Sequence, residues 1–248
     1  IWEGLRGPNA TVVSGACSSL DAFALAATHL EQARAEAFVV AGTEALSEQS
    51  YLACARLGLL AKATKGAAPS FVLGEGAAAF CLEPLARARA RQAAVQAQLV
   101  GYASGFAAPA DSAQLLQVDA ATLSSVMRQA LEDAAVAPAD IDVVCGAQSG
   151  LAPYDQAELR AVHEVFGAEV CLAAPKHWFG ESFGAAGALG VAAVLAWLAG
   201  APVAPLWPAR PPPQQAVRAV LVLDVGHYGN ASALVLRLDD PTANPSRS

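Results

Sequence analysis

Cys17 sits in the run Ser14-Gly15-Ala16-Cys17-Ser18-Ser19, between a short apolar stretch and an Ala-rich stretch of helical spacing. A thiol at the start of a helix meets free backbone N–H groups and the positive end of the macrodipole, and both favour the thiolate. A sharp strand-to-helix turn also exposes the side chain and offers an N–H as an oxyanion donor. The chemistry implied is nucleophilic attack on an acyl group. The alternative is a cysteine that only packs. The chain has four histidines, His29, His163, His177 and His227. None stands beside Cys17 in sequence. His227 lies in the turn Gly226-His227-Tyr228-Gly229-Asn230, and its plain reading is a turn histidine.

The positioning elements follow from periodicity. Thr11–Ser14 reads as a strand and Ser18–Arg34 as a helix. Ala37–Ala41 has no polar face and reads as a strand buried on both sides. Glu48–Leu60 reads as a helix with Tyr51, Leu52, Cys54 and Leu57 inward, followed by strands at Ala77–Leu82 and Val95–Ala103, the last pairing nearby. Then come a helix (Ala120–Ala134), a strand (Ile141–Cys145), a helix (Asp155–Phe166), a strand (Val170–Ala174), a helix (Gly184–Leu198) and two strands, Val217–Leu223 and Ala231–Leu238. This alternation predicts an α/β fold of two duplicated βαβα halves, residues 1–106 and 107–248, with mainly parallel sheets. The linker is placed at Gly105–Gln117, and Pro208–Pro213 is a surface loop.

Composition narrows the function. With 55% hydrophobic and 15% charged residues, the chain has much surface to bury, part of it in a subunit interface. A net charge of -7 argues against nucleic acid as a partner. Arg87, Arg89 and Arg91 form the densest basic cluster, read either as a solvated helix face or as a dock for an acidic carrier protein. Five cysteines without a CxxC suggest neither a disulfide framework nor a metal site. A cytoplasmic setting without a signal peptide fits these features. Gly184–Trp207 carries no charge, but its Gly, Ala and Pro content favours a buried helix over a membrane span.

Several motifs carry a family resemblance. GPNATVVSGACSSLDAFALA resembles the active-site segment of β-ketoacyl synthases, which have a thiolase-like fold. Phe38–Ala45, Gly74–Ala77, Met127–Val144, Lys176 with Gly184–Gly187, and the Gly226–Asn230 loop resemble further motifs of that family, in the same order. The resemblance implies a Cys nucleophile at Cys17 and two catalytic histidines, with no cofactor. The first histidine is expected eight residues before an Asp. Asp155 and Glu158 keep the acidic pair, and the histidine's place holds Ala147. The second is expected five residues after the Lys, where Glu181 stands. Asp155, Glu158 and Lys176 are implied to form a buried ionic network; the alternative is an ordinary surface ion pair. Gly226, His227, Tyr228 and Gly229 fall in the implied oxyanion and gating loop, and the resemblance makes His227 a candidate for contact with the Cys17 pocket.

A methyl and a carboxylate cannot hold the charge that develops as malonyl loses carbon dioxide. The chain therefore resembles the chain-length factors of type II polyketide systems, including polyene assembly. The implied partners are an active ketosynthase in a heterodimer, an acyl carrier protein and the growing acyl chain. That group usually lacks the cysteine, whereas this chain keeps Cys17. The segment between Leu60 and Gly74 is shorter than in the family. The family also has two strand–helix units upstream of the GPN motif, so a fragment, or completion by another chain, is expected. Two alternatives remain: an acyltransferase using Cys17 with Glu181, and a binding module for a carrier protein.

Overall fold

In a computed structural model, residues 4, 6–60, 71–109, 111, 116–207, 213 and 215–238 are described. Cys17 is the N-cap of the first helix, α1 (Ser18–Glu31). In α1, Leu20, Phe23 and Ala26 are buried. Next come β1 (Phe38–Glu44), α2 (Glu48–Arg56), β2 (Gly76–Leu82), α3 (Leu85–Ala90) and β3 (Gln98–Phe106). The C-terminal half follows with α4 (Ala120–Asp133), β4 (Val143–Cys145), α5 (Ala152–Phe166), β5 (Cys171–Ala173), α6 (Lys176–Phe179), α7 (Ala186–Leu198), β6 (Ala219–Val225) and β7 (Asn230–Arg237).

Two sheets form. β1 and β2 make an antiparallel pair. The larger sheet has the order β3-β7-β6-β4-β5. It is mixed, being parallel across β5–β4–β6 and antiparallel across β6–β7–β3. Helices α1 and α7 lie between the two sheets, and α4 and α5 cover the other side of the larger one. The helix layer is therefore central and buried, with helices on both faces of the larger sheet, a thiolase-like α/β arrangement.

The sequence of α7 explains its place. AGALGVAAVLAWL is apolar all round, as a helix buried on every side must be. At Gly187 a Cβ would stand 2.6 Å from Asp224 Oδ2 and 2.8 Å from Leu20 Cγ, so only glycine lets α1, α7 and β6 approach this closely. Strand β6 (AVLVLDV) is buried at every position, as a central strand covered on both faces requires. α4 starts on Asp119, whose carboxylate accepts the Thr122 N–H at 2.8 Å.

Five expectations need correction. The strand expected at Ala37–Ala41 forms as β1 but is not buried on both sides: Val39 and Ala41 are exposed, because only one face of β1 packs on the helix layer. Thr11–Ser14 is not a strand: Ser14 makes only an isolated bridge to Ala16, and Val13 is 86% exposed. Apolar sequence alone cannot make a strand without a neighbour to accept its hydrogen bonds. α2 is shorter than expected and buries only Cys54; Tyr51, Leu52 and Leu57 are exposed. The strand expected at Val95–Ala103 begins later and pairs with distant β7, because the sheet edge there is open to it. The expected helix at Gly184–Leu198 begins at Ala186, after a 3₁₀ turn over Phe183–Ala185. Residues 61–70, where the shortened segment falls, and most of Pro208–Pro213 lie outside the described residues. No helix among the described residues is long and apolar enough to cross a membrane.

Candidate functional site

The candidate site lies where the start of α1, the ends of β4, β5 and β6, and the turn before α7 meet. Cys17 is 1% exposed, so the turn buries the thiol where exposure was expected. Its Sγ lies 3.6 Å from the Asp224 carbonyl oxygen, to which the thiol donates. Burial pushes the thiol up to about 12, and the nearby carboxylates of Asp224 and Asp21 push the same way. The Ser232 hydroxyl and the Lys176 ammonium oppose this and lose. The helix-dipole argument for a thiolate is thus outweighed by desolvation beside negative charge.

Lys176 and Glu181 are both buried, with Nζ 3.0 Å from Oε2. Lys176 Nζ also stands 3.5 Å from Asp224 Oδ1. Burial alone would depress the ammonium, but Glu181 and Asp224 outweigh it and hold Lys176 above its ordinary range, charged. The second oxygen of Glu181 accepts the Phe183 N–H at 2.9 Å. Burial raises Asp224 to about 7, against the pull of Lys176. Its Oδ2 has no hydrogen-bond partner among the described residues.

Ala147, at the first histidine's place, is buried. Its N–H donates to Glu158 Oε1 at 2.8 Å. Burial raises Glu158 to about 8, against the Ala147 N–H that it accepts. Asp155 accepts the Ser149 and Gly150 N–H groups, each at 3.1 Å, and burial raises it despite them. Asp155, Glu158 and Lys176 are all buried, as the resemblance implies, yet the ion pairs of Lys176 run to Glu181 and Asp224. Asp155 and Glu158 are held by backbone N–H groups and feel Lys176 only through its field.

His227 is buried with its ring beside Phe71, Tyr154 and Phe183, centroids 6.0, 5.6 and 5.8 Å away. Burial lowers its pKa, so the imidazole is neutral. The loop around it is tied down: the His227 carbonyl accepts the Tyr154 hydroxyl at 2.8 Å and the Gln117 N–H at 2.9 Å. Tyr228 is exposed, and Gly229 has φ +92, a conformation that favours glycine. Gly226 N–H closes the turn on the Asn230 carbonyl. Asn230 Nδ2 donates to the Ser14 carbonyl at 2.8 Å, which joins the loop to the Cys17 turn. The groups that set the Cys17 pKa are Asp224, Asp21, Ser232 and Lys176, and no imidazole is among them.

Sequence reasoning missed Asp224, Asp21 and Gln148. Asp224 is the one acid inside an apolar strand, which is itself a signal. Asp21 accepts hydrogen bonds from Ser14 Oγ, Tyr102 Oη and Ser232 Oγ, drawing α1 to β3 and β7. Gln148 is fully buried and both polar atoms of its amide lack partners among the described residues. The arginine cluster is largely neutralised: Arg87 pairs with Glu36 and Glu83, and Arg91 with Glu83.

Comparison with known proteins fits this architecture. Residues 1–88 match the β-ketoacyl synthase N-terminal domain, and residues 96–209 match the β-ketoacyl synthase C-terminal domain. The chain belongs to the β-ketoacyl synthase family. It is 33% identical over 195 residues to the tetracenomycin polyketide synthase ketoacyl synthase beta subunit of Streptomyces glaucescens, covering 74% of this chain and 46% of that protein. It is 32% identical, over an alignment 268 positions long, to the actinorhodin polyketide putative beta-ketoacyl synthase 2 of Streptomyces coelicolor, covering 98% of this chain and 64% of that one. The ishigamide ketosynthase/chain length factor structure superposes with a TM-score of 0.81 at 23% identity, over 93% of this chain and 61% of that chain. The fold is thus thiolase-like. The chain spans 41% to 64% of the length of these and other curated relatives.

Proposed function

We propose that this chain is a ketosynthase-like subunit of polyketide or fatty acid assembly that does not itself condense. It acts as a chain-length-factor-type partner in a heterodimer with an active ketosynthase. The observation that carries this reading is the environment of Cys17. Its thiol is pushed up to about 12, beside Asp224 and Asp21. At neutral pH the group is then held as the thiol. The two places expected to hold imidazoles carry a methyl and a carboxylate that already pairs with Lys176. Nothing in that set can stabilise an enolate, and losing one such donor commonly costs about 2.7–4 kcal/mol of barrier.

The acyl carrier protein and the growing acyl chain are the further partners in this reading. The test measures malonyl decarboxylation by the chain alone and with a partner ketosynthase that has both histidines. No turnover alone, with altered product length in the pair, is the expected outcome. Robust decarboxylation by the isolated chain would overturn the reading. The acyltransferase alternative predicts an acyl adduct on Cys17 by intact mass. The raised thiol pKa weighs against it.

A further inference from the structure

Asp224 is answered on one side only. Its Oδ1 stands 3.5 Å from Lys176 Nζ. Its Oδ2 has no hydrogen-bond partner among the described residues, although Asp224 is 2% exposed. An unpaired buried carboxylate oxygen carries its full desolvation penalty. Lys176 is in the matching position. An ammonium has three N–H donors. Among the described residues this one has two partners, Glu181 Oε2 and Asp224 Oδ1. The acceptor lacks a donor, and the donor has a proton to spare.

An internal cavity of about 10 Å³ is lined by both of them. That is about the room one water needs, and too little for a larger guest. Buried Ser182 brings a hydroxyl to the same wall, and Cys145 a thiol. Phe179, Ala186 and Val222 make up much of the rest. From α7 the wall receives Gly187 and, one turn on, Gly190. A Cβ at Gly187 would stand 2.6 Å from Asp224 Oδ2, so the helix leaves that oxygen uncovered.

We infer that this cavity is a site for a single ordered water, which donates to Asp224 Oδ2 and accepts from Lys176 Nζ. Ser182 offers its hydroxyl as a third partner, and buried waters typically keep about three. A neutral molecule suits the place better than a cation, because Lys176 already brings positive charge there. The water answers the oxygen that protein groups leave unpaired. It also stands one residue from the sulfur, since the Cys17 thiol donates to the main-chain carbonyl of Asp224. The site does not depend on whether the chain condenses.

The test counts long-lived internal waters in the full chain by oxygen-17 magnetic relaxation dispersion, with a denaturant titration of the same samples. The variant is Gly190→Ala. Its methyl would stand 3.6 Å from Cys145 Sγ and from Val222 Cγ1, both ordinary contacts, so it takes the room of the water without crowding the protein. The count is expected to fall by one, and the unfolding midpoint to fall with it as Oδ2 loses its donor. In a dry cavity the same change would raise the midpoint, because alanine favours a helix interior over glycine. An unchanged count overturns the site, and so does a midpoint that rises or stays. Asp224→Leu, an apolar residue in an apolar strand, removes the anchor instead and carries the test if the first variant fails to fold. There too one water should be lost, and an unchanged count overturns the site.

Discussion

Lys176 answers the buried carboxylates of Glu181 and Asp224 directly, with Glu158 and Asp155 nearby. One ammonium cannot neutralise four carboxylates, so burial keeps protons on some of them. Glu158 and Asp224 are raised to about 8 and about 7. The folded state therefore binds protons that the unfolded chain releases at ordinary carboxylate values. Stability is then highest below the unfolded carboxylate range, falls as pH rises from there, and levels off above about 8. Thermal melts across this range should show that decline. Glu158→Gln keeps an acceptor for the Ala147 N–H and should flatten the slope. Lys176→Met should lower stability by about 3–5 kcal/mol in a denaturant titration, because it strands buried negative charge. Cys17 should react with iodoacetamide far more slowly than a free thiol at neutral pH, as read by intact mass. Much of this site was legible: the spacing around Cys17, Lys176, Glu181 and Asp155 led straight to the buried cluster. Asp224 was not, because its partner Lys176 is close only after β6 and the turn after β5 are brought side by side. The direction of the thiol shift was hidden in part for the same reason, since Asp224 comes from a remote strand, although Asp21 lies only four residues on in α1.

At the scale of elements, α7 depends on what it lacks. Gly187 leaves room for Leu20 and Asp224, and a methyl there would stand 2.6 Å from Asp224 Oδ2. Gly187→Ala should cost about 1–3 kcal/mol through overpacking, measured as a shifted denaturation midpoint with an unchanged slope. Helix and strand types were readable from period, including the apolar helix that is too short to span a bilayer. The misreadings share a cause. Thr11–Ser14 has strand-like residues and no ladder, and the expected inward residues of α2 have nothing to cover them. Local sequence sets what an element can be; its neighbours decide whether it forms and which face is buried. β3 shows this from the other direction, since its partner β7 lies at the far end of the chain.

For the whole molecule, a few exposed apolar side chains flank one groove. Val13 and Val39 are 86% and 61% exposed, and both line the groove beside β1. Among the described residues, β1 has a ladder only with β2. A free strand edge next to exposed valines is a surface made for another polypeptide. Val13→Arg should weaken co-elution with a partner ketosynthase in size-exclusion chromatography while leaving the melting temperature of the isolated chain unchanged.

The two ends of the described chain are sewn to each other at Asn230 and Ser14, and again where the Cys17 thiol meets the Asp224 carbonyl. Cutting the backbone between Phe106 and Gln117 would therefore not free two independent bodies. The severed pieces should stay joined, as a nicked protein that travels as one species until a denaturant opens it.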